Sequence, residues 1–164
     1  MKILETVGID VSKLTIDVRI YSTKDYLQVE NCEKGYKKMV KWVFKHTSFN
    51  ENETFFAFEH TGLYSHNLGL FLHERGLAFN IVPGYEIRHS LGITRGKDDK
   101  IDAGKIARYA YRLRDEIEPY IMPIKEVTEL KRLLSLRDRL VRDRAGYKAS
   151  LGEYKRFLVQ KKSP

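Results

Sequence analysis

The stretch from Ile3 to Asn31 constrains the fold most. It holds three β-rich segments, 3–11 (ILETVGIDV), 14–21 (LTIDVRIY) and about 25–31, separated only by the short Val11-Ser12-Lys13 stretch and a Ser-Thr-Lys-Asp turn. Connections that short cannot hold the crossover that parallel neighbours require, so the segments must pair antiparallel. The second alternates apolar and polar residues, the pattern of a half-exposed strand. The period then changes. Tyr36, Met39, Val40, Val43 and Phe44 fall at i, i+3, i+4, i+7 and i+8, one face of a helix. Thr54 to Phe58 is a short apolar strand ending at Glu59. His60-Thr61-Gly62 opens a second helix, with Leu63, Leu68, Leu70, Phe71 and Leu72 expected mostly inward and Gly76 closing it; Leu77 to Val82 is a further strand, stopped by Pro83. Strands joined by helical crossovers run parallel. The order β-β-β-α-β-α-β-α predicts an α/β fold built on a mixed five-stranded sheet with flanking helices.

Beyond Pro83, Gly84 to Gly96 is polar and reads as a loop, and a helix is expected over about 99–114. Pro119 and Pro123 bracket a linker. From Glu126 to about Lys161 there is no proline, and Leu133, Leu140, Tyr147 and Tyr154 recur every seven residues. A second series, Leu130, Arg137, Arg144, Leu151 and Leu158, is offset by three. This is a coiled-coil-like seam with arginine twice in one position. A straight helix of that length spans roughly 50 Å, too far to fold back completely on a small body, although a plain amphipathic helix is the simpler alternative. The organisation read from this is a body over 1–116, a linker over 117–124 and a long C-terminal helix over 125–164.

The net charge of +8 is unevenly placed: residues 125–164 carry 12 Lys/Arg against 5 Asp/Glu, which leaves the rest of the chain almost neutral. A basic segment on a neutral body points to a polyanion, usually nucleic acid; a solvated helix that happens to be basic is the bland alternative. One cysteine, Cys32, excludes an internal disulfide framework and a Cys-rich zinc site. No apolar run is long enough for a membrane span, and the first residues lack an apolar signal core, so a soluble, cytoplasmic protein is expected. The basic helix ending at Pro164 suggests a piece of a longer protein.

Four carboxylates stand out by position. Asp10 lies near the end of the first strand, Glu59 ends the fourth, and Asp99 and Asp102 sit three apart at the start of a helix, on one face. Adjacent parallel strands bring their C-terminal ends together, so Asp10 and Glu59 are expected side by side where open α/β sheets build their sites. A helix arriving there adds Asp99 and Asp102. Clustered carboxylates repel unless a cation sits among them, and hard oxygen ligands suit Mg²⁺ or Mn²⁺, ions used for phosphoryl transfer on nucleic acid. Each acid also has an ordinary reading: a strand-end residue, a loop residue, a helix N-cap. His66 and His73 form no legible catalytic set, and there is no Gly-rich phosphate loop.

Gly8-Ile9-Asp10-Val11-Ser12-Lys13, Glu59-His60-Thr61-Gly62-Leu63-Tyr64 and Lys97-Asp98-Asp99-Lys100-Ile101-Asp102-Ala103 together resemble the N-terminal half of the DEDD insertion-sequence transposases, a group that includes the pilin-gene invertases and the bridge-RNA-guided recombinases. Asp98 stands where the family usually has Thr. The resemblance implies an RNase-H-like (RuvC-like) fold, a metal-binding and catalytic tetrad of Asp10, Glu59, Asp99 and Asp102, and Mg²⁺ or Mn²⁺ as cofactor. It implies DNA as partner, strand cleavage and rejoining, a structured guide RNA in several members, and a homo-oligomer. It also implies a further C-terminal domain with a serine nucleophile, to which nothing in these 164 residues corresponds. Lys13, Lys97 and Lys100 beside the acids, and Arg132, Arg137, Arg144 and Lys148 in the basic helix, are the expected nucleic-acid contacts. Alternatives stay open: a stand-alone RuvC-like Holliday-junction nuclease, a non-catalytic nucleic-acid module, and a sugar-kinase or actin-like ATPase, though Val11-Ser12-Lys13 lacks the phosphate-wrapping glycine of the last.

Overall fold

The computed structural model describes residues 2–91 and 99–160, which divide into two compact units between Met122 and Pro123. The first unit holds strands β1 (Glu5–Val11), β2 (Thr15–Ile20), β3 (Tyr26–Glu30), β4 (Thr54–Glu59) and β5 (Phe79–Val82) in one sheet of order β3-β2-β1-β4-β5. As the short turns require, β1 pairs β2 and β2 pairs β3 antiparallel; β1 pairs β4 and β4 pairs β5 parallel. This is the mixed five-stranded α/β sheet of the RNase-H-like type that the sequence predicts.

Alternation along the strands supplies two apolar faces. Val7, Ile9 and Val11 of β1, Ile16, Val18 and Ile20 of β2, and Phe56 and Phe58 of β4 are buried with α1 (Glu33–His46) and α2 (Leu63–Glu74). Helix α1 turns Tyr36, Met39, Val40 and Val43 inward, and carries Glu33 in its first turn and Lys45 and His46 in its last, both favourable to the helix dipole. The opposite face takes α3 (Gly84–Leu91) and α4 (Asp99–Arg112), where Ala57 and Val82 pack with Ile87, Ile106, Tyr109 and Ala110.

Three expectations are corrected. Of the five α2 side chains expected mostly inward, three, Leu68, Phe71 and Leu72, are buried, and the expectation is narrowed to these, since Leu63 is 69% and Leu70 40% exposed. At 100° per residue, Leu70 stands 200° and Leu63 140° around the axis from Leu68, so neither can share its face. The polar stretch after Pro83 is not all loop: Gly84–Leu91 is α3, carried by Ile87 as its apolar contact and Glu86 in its first turn. The remainder of that expected loop, 92–96, lies outside the described residues. The polar side of β2 is not exposed: α4 covers it, and Asp17 is only 2% accessible.

Beside β5, the Tyr120 N–H donates to Phe79 O (2.6 Å) and Asn80 Nδ2 donates to Glu118 O (2.7 Å). These bonds lay residues 118–120 along the outer side of the strand. The second unit is α5 (Lys125–Gln160), a single helix of 36 residues. Along it Leu130, Leu133, Leu140, Tyr147, Leu151, Tyr154 and Leu158, the apolar members of both seven-residue series, are exposed.

Candidate functional site

Helix α4 lies directly on β1. A Cβ at Gly8 would stand 2.1 Å from Ala103 O and 2.3 Å from Ala107 N, so no larger residue fits without displacing backbone. Two residues earlier, Thr6 Oγ1 donates to Ala107 O at 2.8 Å. Thr6 is therefore level with Ala107 and Gly8 with Ala103. Two strand residues advance roughly 6.6 Å and four helical residues about 6 Å, so α4 runs antiparallel to β1 and one more such step sets Asp10 level with Asp99, the first residue of α4. Asp10 is half-buried and shares its side of the sheet with Thr6 and Gly8.

Glu59 reaches the same side by register. Gly8 pairs Ala57 and Ile9 pairs Phe58, so the next step along these parallel strands puts Glu59 beside Asp10. Ala57, two residues before Glu59, packs under α4 with Ile106 and Ala110; Glu59 projects to that face too. Its carboxylate lies against the start of α3: a Cβ at Gly84 would be 2.0 Å from Glu59 Oε1. Gly84 is thus a seat for the carboxylate that any other side chain would fill.

The structure brings Asp10 and Glu59 to one edge, as their places at two strand ends predict. Asp102 is half-buried on α4 and ion-paired with Lys105 one turn on, at 2.7 Å. Asp99 begins α4; its side chain and that of Lys100, with the whole of Lys97 and Asp98, lie outside the described residues. Among the described residues, no group of three or more His, Cys, Asp or Glu is placed to hold a metal ion. Lys13 is exposed in the β1–β2 turn, three residues past Asp10, where Ser12 Oγ donates to Thr15 O at 2.8 Å. Arg132, Arg137, Arg144 and Lys148 are exposed on α5, and Arg137 contacts its neighbour Asp138 at 3.2 Å.

Sequence reasoning missed a fifth carboxylate. Asp17 is the cross-strand partner of Asp10, so both side chains share the α4 face. It accepts hydrogen bonds from Tyr26 Oη and from Gln28 Nε2, the latter at 3.0 Å, which satisfies an acid that burial alone would penalise. Counting back around the β1–β2 hairpin would have found it. Gly8 and Gly84 were legible only as letters in motifs or loops; their reason is the backbone and carboxylate that approach them. Between α4 and α3, Tyr109 Oη donates to Glu86 at 2.6 Å. Burial first, and that bond second, raise the Tyr109 phenol above its usual value, so it stays a neutral donor.

A sequence model of the IS110 family of DEDD transposases, described as "Transposase", matches residues 7–154, nearly the whole chain. The chain belongs to this transposase family. No curated protein matches it. As a member of a transposase family, it is a protein of DNA transposition, and the match spans both the sheet and most of α5. Among the described residues of this transposase, no helix is long and apolar enough to cross a membrane.

Proposed function

We propose that this transposase domain cuts and rejoins DNA at the edge where β1 and β4 end, with Asp10, Glu59, Asp99 and Asp102 as the acids that hold Mg²⁺ or Mn²⁺. The observation that carries the reading is the register that sets Asp10 and Glu59 on adjoining parallel strands beneath the start of α4. The donor set fits a hard divalent cation, being carboxylate oxygen throughout, and the glycine seat at 84 leaves the Glu59 carboxylate room to be held without competition from a side chain. Such an ion, when bound, offsets the negative charge that develops on phosphate oxygens. The chain's own part is to position the acids. Gly8 lets α4 come down onto β1, Thr6 pins its far end, and Gln28 and Tyr26 hold Asp17 beside Asp10.

Lys13, Lys97 and Lys100 are then contacts for DNA near the cut. The exposed cations of α5, Arg132, Arg137, Arg144 and Lys148, contact nucleic-acid backbone, including a structured guide RNA that selects the target. The apolar members of the α5 seam pair the helix with a second copy, so the working form is a homo-oligomer, and 125–164 is the start of a coiled coil that follows the 1–116 body and the 117–124 linker. Exposure of all those apolar positions along α5 supports this.

The test is Asp10→Asn and Glu59→Gln in a recombination assay. Each removes one charge with almost no change in volume, so strand cleavage should be lost while the melting temperature holds. Mg²⁺ or Mn²⁺ should raise the melting temperature of the unaltered chain, as any ligand of the folded state does, and should not raise that of Asp10→Asn. Full recombination by Asp10→Asn would sink the assignment.

A further inference from the structure

At the end of the sheet opposite the carboxylates, rings and cations form a column. Tyr21 leaves β2, and its backbone N–H donates to Thr6 O at 2.9 Å. That bond sets it level with the entry end of β1, roughly 13 Å along the strand from Asp10. Tyr111 comes from the last turn of α4. The two rings stack with centroids 4.0 Å apart and planes 20° from parallel. Lys24 Nζ lies 3.8 Å from the Tyr21 centroid, and Arg114 Cζ lies 4.2 Å from that of Tyr111. A 4.0 Å gap between stacked rings admits no cation, so the order is Lys24, Tyr21, Tyr111, Arg114, and both faces of both rings are covered.

The cations at the two ends are held by backbone. Lys24 has φ +63, a left-handed conformation that non-glycine residues rarely adopt, and its ammonium donates to Tyr21 O, which leaves two N–H groups. Arg114 Nη1 donates to Tyr111 O at 2.7 Å, and among the described residues the guanidinium's other donors meet no acid closer than Asp115, at 4.0 Å. Arg108, exposed on α4, and Arg19 are near enough that their charge adds to burial, the larger cause, in lowering the Lys24 pKa, while Glu5 acts weakly the other way. Glu5 itself is committed elsewhere, accepting from the N–H groups of Thr6 and Ser22 and from Ser22 Oγ. Among the described residues, Lys24, Arg19, Arg108 and Arg114 thus gather here with no ion pair closer than that of Arg114 to Asp115.

We propose that Lys24, Arg108 and Arg114 form a second DNA-binding surface that grips backbone phosphates about four nucleotides from the cutting edge, at roughly 3.4 Å per phosphate along one strand. This rests on the reading of the chain as a domain that cuts DNA at Asp10 and Glu59. The chemistry selects phosphate over base. A base would need an open aromatic face on which to stack, and the column has none. What it offers outward is N–H donors on cations, fixed in place by two stacked rings that join the β2–β3 turn to the end of α4. An anion there relieves the mutual repulsion of Lys24, Arg19 and Arg108.

The experiment measures binding of the full chain to a labelled DNA duplex by fluorescence anisotropy over a series of salt concentrations. Lys24→Gly removes the ammonium and leaves a residue at ease with positive φ; Arg108→Gln removes an exposed cation from a helix surface. Each should make the slope of log affinity against log salt shallower by about 0.9, one phosphate's worth, and weaken binding alike on unrelated DNA sequences. Tyr21→Phe, which keeps the stack, should bind as the unaltered chain does. If Lys24→Gly lowers the melting temperature, Arg108→Gln alone decides. A folded variant with unchanged affinity and salt slope overturns the proposal, as does a change seen with an RNA hairpin and not with DNA. Failure of the underlying reading looks different: Asp10→Asn would still cut, or the unaltered chain would not bind DNA at all.

Discussion

Gly8→Ala tests the closest contact in the domain. The added methyl would begin 2.1 Å from Ala103 O, and ordinary contact starts near 3.4 Å, so the helix or the strand must give by about 1.3 Å. The atoms in the way are α4 backbone, which cannot rotate aside as a side chain would. Forcing extra carbon into a packed interface costs typically 1–3 kcal/mol. For a unit of this size 1 kcal/mol shifts the melting temperature by roughly 3–5 °C, so a fall of about 3–15 °C is expected. Activity should suffer more than stability. The displaced helix carries Asp99 and Asp102, and a misplacement of about 1 Å can cost on the order of 100-fold in rate. Thermal melting followed by circular dichroism gives the first quantity, and a strand-cleavage assay on matched amounts of folded protein the second. Gly146→Ala is the control: nothing lies within 4 Å of the position a Cβ would take there, and the change should stabilise α5 by about 1 kcal/mol through helix propensity alone. Gly8→Ala with unaltered melting and cleavage would refute the idea that contact of α4 with β1 sets the spacing of the acids.

Alkaline titration should register Tyr36 alongside Tyr109. Burial first, then the charge of Cys32, pushes the Tyr36 phenol from 10.0 up to about 12. Its contribution to stability is therefore complete below pH 10 and lost as pH rises from 10 to about 12, where the unfolded chain has released a proton that the native state still holds. Urea unfolding across that window should show stability falling with pH, and Tyr36→Phe should flatten the fall; an identical pH dependence in the variant would contradict it. On α5, Arg137→Glu with Arg144→Glu should weaken DNA and RNA binding by at least tenfold at low salt and flatten the salt dependence. Equal affinity for the double variant in a filter-binding assay would remove α5 from the nucleic-acid surface.

The sheet was legible because its turns were short and its periods clean. A two-residue gap cannot hide a helix, and residues 36–44 cannot be read as a strand. What escaped were features that depend on two segments meeting. Among its described side chains, helix α3 buries one apolar residue, Ile87, too few to impose a period. Asp17 reads as a solvent-facing strand residue until α4 is laid over it. The Tyr21–Tyr111 column joins residues 90 apart, and a chain segment with almost no net charge gave no hint that its cations gather at one end. At the carboxylate edge the positions of Asp10 and Glu59 followed from strand order alone. The pairing of Asp102 with Lys105 is a side-chain choice that spacing does not determine.

The strip at 118–120 has a consequence for how copies of this domain can meet. By occupying the outer side of β5 it removes one of the two places where a foreign strand could dock. Among the described residues, β3 is left as the open border, five residues long, with the polar side chains of Gln28 and Glu30 along it. A sheet with two open borders can add neighbours without end, which is the route to fibres. A sheet with one can at most meet a copy of itself border to border, and the pairing then closes. The domain can therefore be gathered at high local concentration on nucleic acid without its sheets propagating into an aggregate.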